Sequence, residues 1–261
     1  MNLHSTKTAR LLSIFTIFFF IFLYLPMVIL AIFSFNDNPI NYRWSGFTMR
    51  WYSALLGSAE VWTVLANSLL VAICTVFLSM TMGVLVVYCG VRSYLERFLA
   101  IFYLNLAVPE VVLAVGLLSF FYFFSFDFGF ISLVVSHTLL GLGYAVPIIA
   151  VRFHELDKRL IEASYDLGAT QAQTFFYVVL PFLRPAIMSA GLLVFVISFD
   201  NFIISFFCAG SSLQTLPLYI FSIIRSGQGS PMINALSTLM LLFSMALIFV
   251  AMILHRGWNK K

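Results

Sequence analysis

The sequence predicts an all-α membrane protein with six transmembrane helices, and three observations carry that prediction. Of 261 residues, 62% are hydrophobic and only 9% charged, where soluble domains run near 45–50% and about 25%. The apolar residues gather in repeated runs of about 20, the length that crosses a bilayer. Basic residues flank those runs, where they orient helices rather than bind nucleic acid. The composition argues against a soluble enzyme.

The first span is placed at 11–34. Lys7 and Arg10 precede an apolar run from Leu11 to Phe35. That run exceeds the ~7–15 residues of a signal-peptide core and has no A-x-A-like site after it, so it reads as an uncleaved helix. Segment 36–65 follows, with Asn36-Asp37-Asn38-Pro39 and the aromatics Tyr42, Trp44, Trp51, Tyr52 and Trp62. It suits an interfacial belt or a helix lying on the membrane surface.

The second span, 66–90, carries Ser79 and Gly83, a small-xxx-small pair made for close helix packing. The third, 98–124, contains Pro109-Glu110 and the aromatic run around Tyr122. Pro109 lacks a backbone donor and kinks a helix. The fourth, 130–151, holds His137, read as a hydrogen-bonded packing residue. The fifth, 186–208, contains Asp200-Asn201. Segment 209–230, with Gly210, Ser211, Ser212, Pro217, Gly227 and Gly229, is turn-rich. Ser230-Pro231 restarts a helix as N-cap and N1, opening the sixth span at 231–254. The whole of 1–261 reads as a single transmembrane domain. Cys74, Cys89 and Cys208 form no CxxC pair and read as small apolar residues, with no metal site.

Six spans place both termini on one side. If that side is the cytoplasm, eleven of the 14 basic residues are inside, and Arg43, Arg50 and Arg225 are outside. That is the positive-inside bias. It makes the 152–185 loop cytoplasmic, and this loop concentrates charge. Arg152, Glu155, Asp157, Lys158, Arg159, Glu162, Asp166 and Arg184 are eight of the chain's 24 charged residues.

The loop's local chemistry predicts two short helices. Asp157 caps a helix over 158–167, and Gly168 ends it, being free to adopt a left-handed conformation. Thr170-Gln171-Ala172-Gln173 fits a capping box that opens a second helix. Pro181 disfavours helical geometry at Leu180, and Pro185 marks the start of span five. The first helix is amphipathic, with Leu160, Ile161 and Leu167 set against Glu162 and Asp166.

A longer spacing sharpens this reading. Glu162-Ala163-Ser164-x-x-x-Gly168, nine residues, then Val178-x-Leu180-Pro181 resembles the EAA motif of ABC-importer permeases. Ser164 stands where the family has Ala and Val178 where it has Ile. The resemblance extends through 24–36, 44–56, 198–210 and 233–242 to the PotC-type permeases of spermidine/putrescine importers. It implies a type I (MetI-like) importer fold in a bacterial inner membrane, with the loop's first helix coupling to a separate ATPase. Glu162, Ala163, Ser164, Asp166, Gly168, Leu180 and Pro181 would form that coupling element. It further implies a second permease (PotB-like), two ATPase subunits (PotA-like) and a periplasmic binding protein (PotD-like). The chain has no Gly-Lys pair and hence no P-loop. ATP and its magnesium therefore belong to the partner, and neither a catalytic residue nor a cofactor is expected here.

The residues themselves speak to the cargo. Glu110 and Asp200 lie 12 and 14 residues into their spans, roughly 18–21 Å deep at the helical rise. Carboxylates at that depth are costly and face polar pathways by default. No Lys or Arg lies comparably deep, which favours a cation over phosphate or sulfate. Asn201 and Tyr122 complete the candidate pathway, Tyr122 through cation–π contact. Related permeases often carry Asp-Asp where this chain has Asp200-Asn201, so the polyamine stays open. So do another cation or small organic solute, and a proton-coupled secondary transporter carrying protons on the two carboxylates. An intramembrane enzyme is disfavoured, since G-x-S-x-G and H-E-x-x-H are both missing.

Overall fold

The structure, a computed structural model, describes residues 3–39, 43–92, 96–211, 213–226 and 231–258. Tyr42, Ser212, Gly227, Gly229, the expected Ser230 cap, Lys260 and Lys261 lie outside the described residues. The side chains of Lys7, Arg10, Arg92, Arg97 and Arg256 do so too. Every named element is a helix: α1 Leu3–Phe33, α2 Arg50–Gly57, α3 Ala59–Arg92, α4 Glu96–Ala107, α5 Glu110–Phe123 and α6 Phe130–His154. There follow α7 Lys158–Asp166, α8 Gln171–Thr174, a π turn Phe175–Val179, α9 Leu180–Phe199, α10 Ile203–Cys208, α11 Leu216–Arg225 and α12 Pro231–Trp258.

Among the described residues four helices are long and apolar enough to cross a bilayer: Leu11–Phe33, Ala59–Gly90, Phe130–His154 and Gln171–Phe199. The bent pair α4–α5 supplies a fifth. The expected sixth span falls on α12, which starts at Pro231 as anticipated, but its described apolar stretch Pro231–Leu247 is shorter than those four.

Two expected spans are not continuous. Span three turns by 117° between α4 and α5. The expectation was a kink; the outcome is a break, because Pro109 both lacks a donor and pushes Val108 out of helical geometry. Span five ends as a helix at Phe199 and resumes at Ile203, leaving Asp200, Asn201 and Phe202 between.

The prolines of the loop, by contrast, do not interrupt anything. Leu180 is helical at φ −62°, ψ −42°, and its N–H reaches back to Phe175 O, one residue beyond the α-helical partner. That wide turn relocates the carbonyls that the Pro181 ring would otherwise strike. The helix then runs through Pro185 to Phe199. Leu180 and Pro181 therefore sit at the root of a long helix and not at a boundary.

The chain forms two compact units, Met1–Ala59 with Ser222–Phe243, and Glu60–Phe221 with Ser244–Lys261. In the first, Asn36 is fully buried and organises the turn after α1. Its Nδ2 donates to Arg43 O at 2.9 Å, and its Oδ1 accepts from Ser45 N at 3.0 Å. Trp51 Nε1 donates to Asn36 O at 2.8 Å. Phe35 stacks against Phe47 and packs at a tilt on Tyr52. Trp44 stays exposed, and the helix α2 forms within this segment.

In the second unit α6 is the axis. It packs against α4, α5, α9 and α10. Lipid is as apolar as leucine, so burial alone does not hold such helices together; close packing of small residues does. Gly141 of α6 lies so near α3 that a Cβ there would stand 2.6 Å from Ser79 Oγ, and a Cβ on Gly83 would stand 3.3 Å from Ile149 Cδ1. The small-residue pair read from span two thus faces α6.

Candidate functional site

The 152–185 loop builds itself from local bonds. Asp157 Oδ1 accepts from Arg159 N at 2.9 Å and starts α7. At the other end Gly168 has φ +81°. Gly168 N donates to Tyr165 O at 2.8 Å, and Ala169 N to Ser164 O at 3.0 Å. This is the paired-bond helix stop that places glycine in a left-handed conformation. The capping box also forms: Gln173 N donates to Thr170 Oγ1, and Thr170 N to Gln173 Oε1.

Ser164 adds a tie that the sequence reading missed. Its hydroxyl donates to Ile161 O at 2.7 Å and lies 2.8 Å from Oγ1 of buried Thr174, joining α7 to α8. The polar substitution in an otherwise alanine position, ten residues before a threonine, was the available signal. Ile161 packs on the core with Val179 and Leu183, while Leu160 and Leu167 remain 53% and 89% exposed. Glu162, Ala163 and Asp166 are exposed as well. The helix therefore shows a solvated charged face and an apolar edge left exposed by the described residues, the form of a helix-in-groove ligand. Arg152 secures the loop's root: it pairs with Glu155 at 2.6 Å, and its guanidinium lies 4.1 Å above the Phe182 ring.

The second arrangement lies where spans three and five break. Glu110 is the first residue of α5, where the helix dipole favours a carboxylate. Asn201 sits in the gap between α9 and α10 and is buried. Its Nδ2 donates to Glu110 Oε1, and its Oδ1 accepts from Ile204 N at 2.8 Å. Two helix interruptions, 91 residues apart in sequence, thus meet through one side-chain bond. Broken helices of this kind are tolerated at membrane depth only inside protein or along a polar cavity.

The other expected pathway residues are placed differently. Asp200 caps the end of α9 and is exposed, beside the pair rather than in it. Tyr122 is 81% exposed near the far end of α5, about 18 Å along the helix from Glu110. The structure brings together Glu110 and Asn201 and leaves Tyr122 apart.

Two further polar residues hold the breaks. Asn105 of α4 donates to Leu139 O of α6 at 3.0 Å, and a Cβ on Gly143 would collide with its side chain. His137 of α6 lies between Ser198 and Ser205. The packing role read for His137 stands, and Asn105 could have been noticed as an amide inside an apolar run.

The chain resembles known proteins along most of its length. The family described as binding-protein-dependent transport system inner membrane component matches residues 91–261. The spermidine/putrescine transport system permease protein PotC of Haemophilus influenzae is 32% identical over 244 residues, 91% of this chain and 93% of that one. The putrescine transport system permease protein PotI of Escherichia coli K12 is 34% identical over 232 residues, covering 85% and 82%. Among solved structures, a bacterial ABC transporter involved in import of the acidic polysaccharide alginate has a chain that superposes with a TM-score of 0.73. At 14% identity it covers 97% of this chain and 96% of its own. That likeness gives the fold, the all-helical one of that transporter's membrane chain.

Proposed function

The chain belongs to the inner-membrane components of binding-protein-dependent transport systems, and from that premise we propose that it is a translocation subunit of an ATP-driven spermidine/putrescine importer. It is a non-catalytic membrane subunit by family. The observation that carries the substrate class is the 32–34% identity to permeases named for spermidine and putrescine over most of both chains. The acidic Glu110 bonded to Asn201 at paired helix breaks, with no Lys or Arg at comparable depth among the described residues, supports a cationic cargo.

In this reading residues 1–261 act as one permease domain with both termini in the cytoplasm. It works beside a second, PotB-like permease, two PotA-like ATPase subunits and a PotD-like periplasmic binding protein. ATP and magnesium are held by the ATPase. Helix α7 sits in a cleft of that subunit, and its apolar edge at Leu160 and Leu167 is covered there. Because Ser164, the Gly168 stop and the π turn tie α7 to the root of α9, displacement of α7 is passed to the helix that ends at Asp200. Glu110, Asp200 and Asn201 line the path and meet the ammonium groups; Tyr122 contributes from farther along α5.

Transport into liposomes carrying the complete complex, measured against a panel of polyamines, other cations, neutral solutes and anions, tests this. ATP-dependent uptake confined to polyamines is the expected result. Uptake driven by a proton gradient without ATP, or a preference for another solute, would overturn it.

A further inference from the structure

Span five stops at Phe199 and restarts at Ile203, so something must set where the second piece stands relative to the first. A side chain of α6 touches both. His137 of α6 is 2% exposed. Its Nδ1 lies 2.8 Å from Ser198 Oγ, near the end of α9. Its Nε2 lies 3.3 Å from Ser205 Oγ, in α10. A neutral imidazole has one donor and one acceptor on a rigid ring, and each serine hydroxyl can play either complementary role. The ring therefore satisfies both hydroxyls at once and fixes their separation.

Asn201 lies between those two serines in the chain. Its amide must reach Glu110 on one side and Ile204 N on the other. Both contacts depend on the offset between α9 and α10. The far end of α10 is also tied to α6, through Ser132 Oγ donating to Cys208 O at 2.8 Å. α10 also packs on α5, and His137 is a polar contact that reaches across the interruption to both pieces.

We propose that His137 is a positioning residue: a two-ended clamp across the break in span five that aims Asn201 at Glu110. Its bearing on transport rests on the proposed role of that pair in the path; its bearing on geometry does not. A residue that only filled space would be replaceable by phenylalanine. A clamp needs polar atoms at both ends.

The test uses the assembled complex with Cys74, Cys89 and Cys208 replaced by alanine, and with Glu110→Cys and Asn201→Cys introduced. The rate of linkage by a short bifunctional thiol reagent reports how the two breaks are held. With His137 present the linkage is fast. His137→Phe should slow it by about threefold to tenfold, the factor a net hydrogen bond supplies. Ser198→Ala and Ser205→Ala, each removing one end, should slow it less, and His137→Gln, with a donor NH2 and an acceptor oxygen, should recover part of the loss. If His137→Phe fails to assemble, the two serine variants decide. Unchanged linkage in both serine variants, or in His137→Phe, would overturn the clamp, as would a lowered melting temperature with unchanged linkage. Preference for another solute by the complex with Glu110 and Asn201 intact would sink the proposed cargo, and normal linkage in the cysteine pair would leave the clamp standing.

Discussion

The 152–185 loop and the paired breaks are both places where helix gives way to something else, and they are held in opposite ways. In the loop the shaping bonds reach two to ten residues: Asp157 to Arg159, Gly168 to Tyr165, Thr170 to Gln173, Ser164 to Thr174. At the breaks they reach 61, 68 and 91 residues, from His137 to Ser198 and Ser205 and from Asn201 to Glu110. A locally bonded element keeps its shape when it is displaced, which suits a lever. A site bonded across the bundle changes whenever the bundle rearranges, which suits a gate. Each of the following variants strikes one side of that contrast.

The largest effect is expected at the breaks. Glu110→Gln keeps shape and removes the charge. A hydrogen bond to a charged group contributes ~1.5–3 kcal/mol, so polyamine transport should fall roughly tenfold to a hundredfold with assembly intact. Asp200→Asn should lose less, because Asp200 is exposed and outside the pair. Initial uptake rates over a substrate series would measure both; wild-type uptake by Glu110→Gln would remove the carboxylate from the path.

Gly168→Val comes next. Nothing lies within 4 Å of where a Cβ would stand, so the strain is in the backbone at φ +81° alone. A β-branched residue held there costs of order 1–3 kcal/mol, which would cut transport roughly fivefold to a hundredfold while ATP hydrolysis continues. Gly168→Asn, which tolerates that conformation, should stay near wild type. Equal behaviour of the two variants would mean that the stop is not needed.

Glu162→Lys should weaken retention of the ATPase by a few-fold, in proportion to the ~0.2–1 kcal/mol of an exposed charge contact. Co-purification across a salt series reads this, and retention without change at every salt would place Glu162 outside the contact.

The smallest effect belongs to Ser164→Ala. It unties α7 from α8, but the Thr174 hydroxyl can turn to its own preceding helical carbonyl, so about 0.5–1.5 kcal/mol is at stake. Faster hydrogen exchange across 158–168 with near-normal uptake is expected; unchanged exchange would show that the tie carries no load.

The same difference in bond length along the chain explains which features could be read from sequence. The Asp157 cap, the Gly168 stop and the Thr170–Gln173 box depend on neighbours a few places away, and all three stand as read. Apolar runs are likewise local, and spans one, two and four match continuous helices. Pro109 was visible as a disturbance, but its 117° consequence was not, since nothing local says whether a freed helix end will find other partners. Pro181 shows the converse: a residue that ends helices in isolation was absorbed by a π turn.

What the sequence determined alone was therefore the all-helical membrane class and the short helix α7 with its cap and stop, because hydropathy runs and capping bonds are properties of short windows. What only the tertiary structure decided was that span five breaks beside Asp200, that Asn201 rather than Asp200 meets Glu110, and that His137 bridges the gap. Those outcomes depend on which helices α6 packs against. A polar side chain inside lipid must find a partner somewhere, and the packing chooses which one.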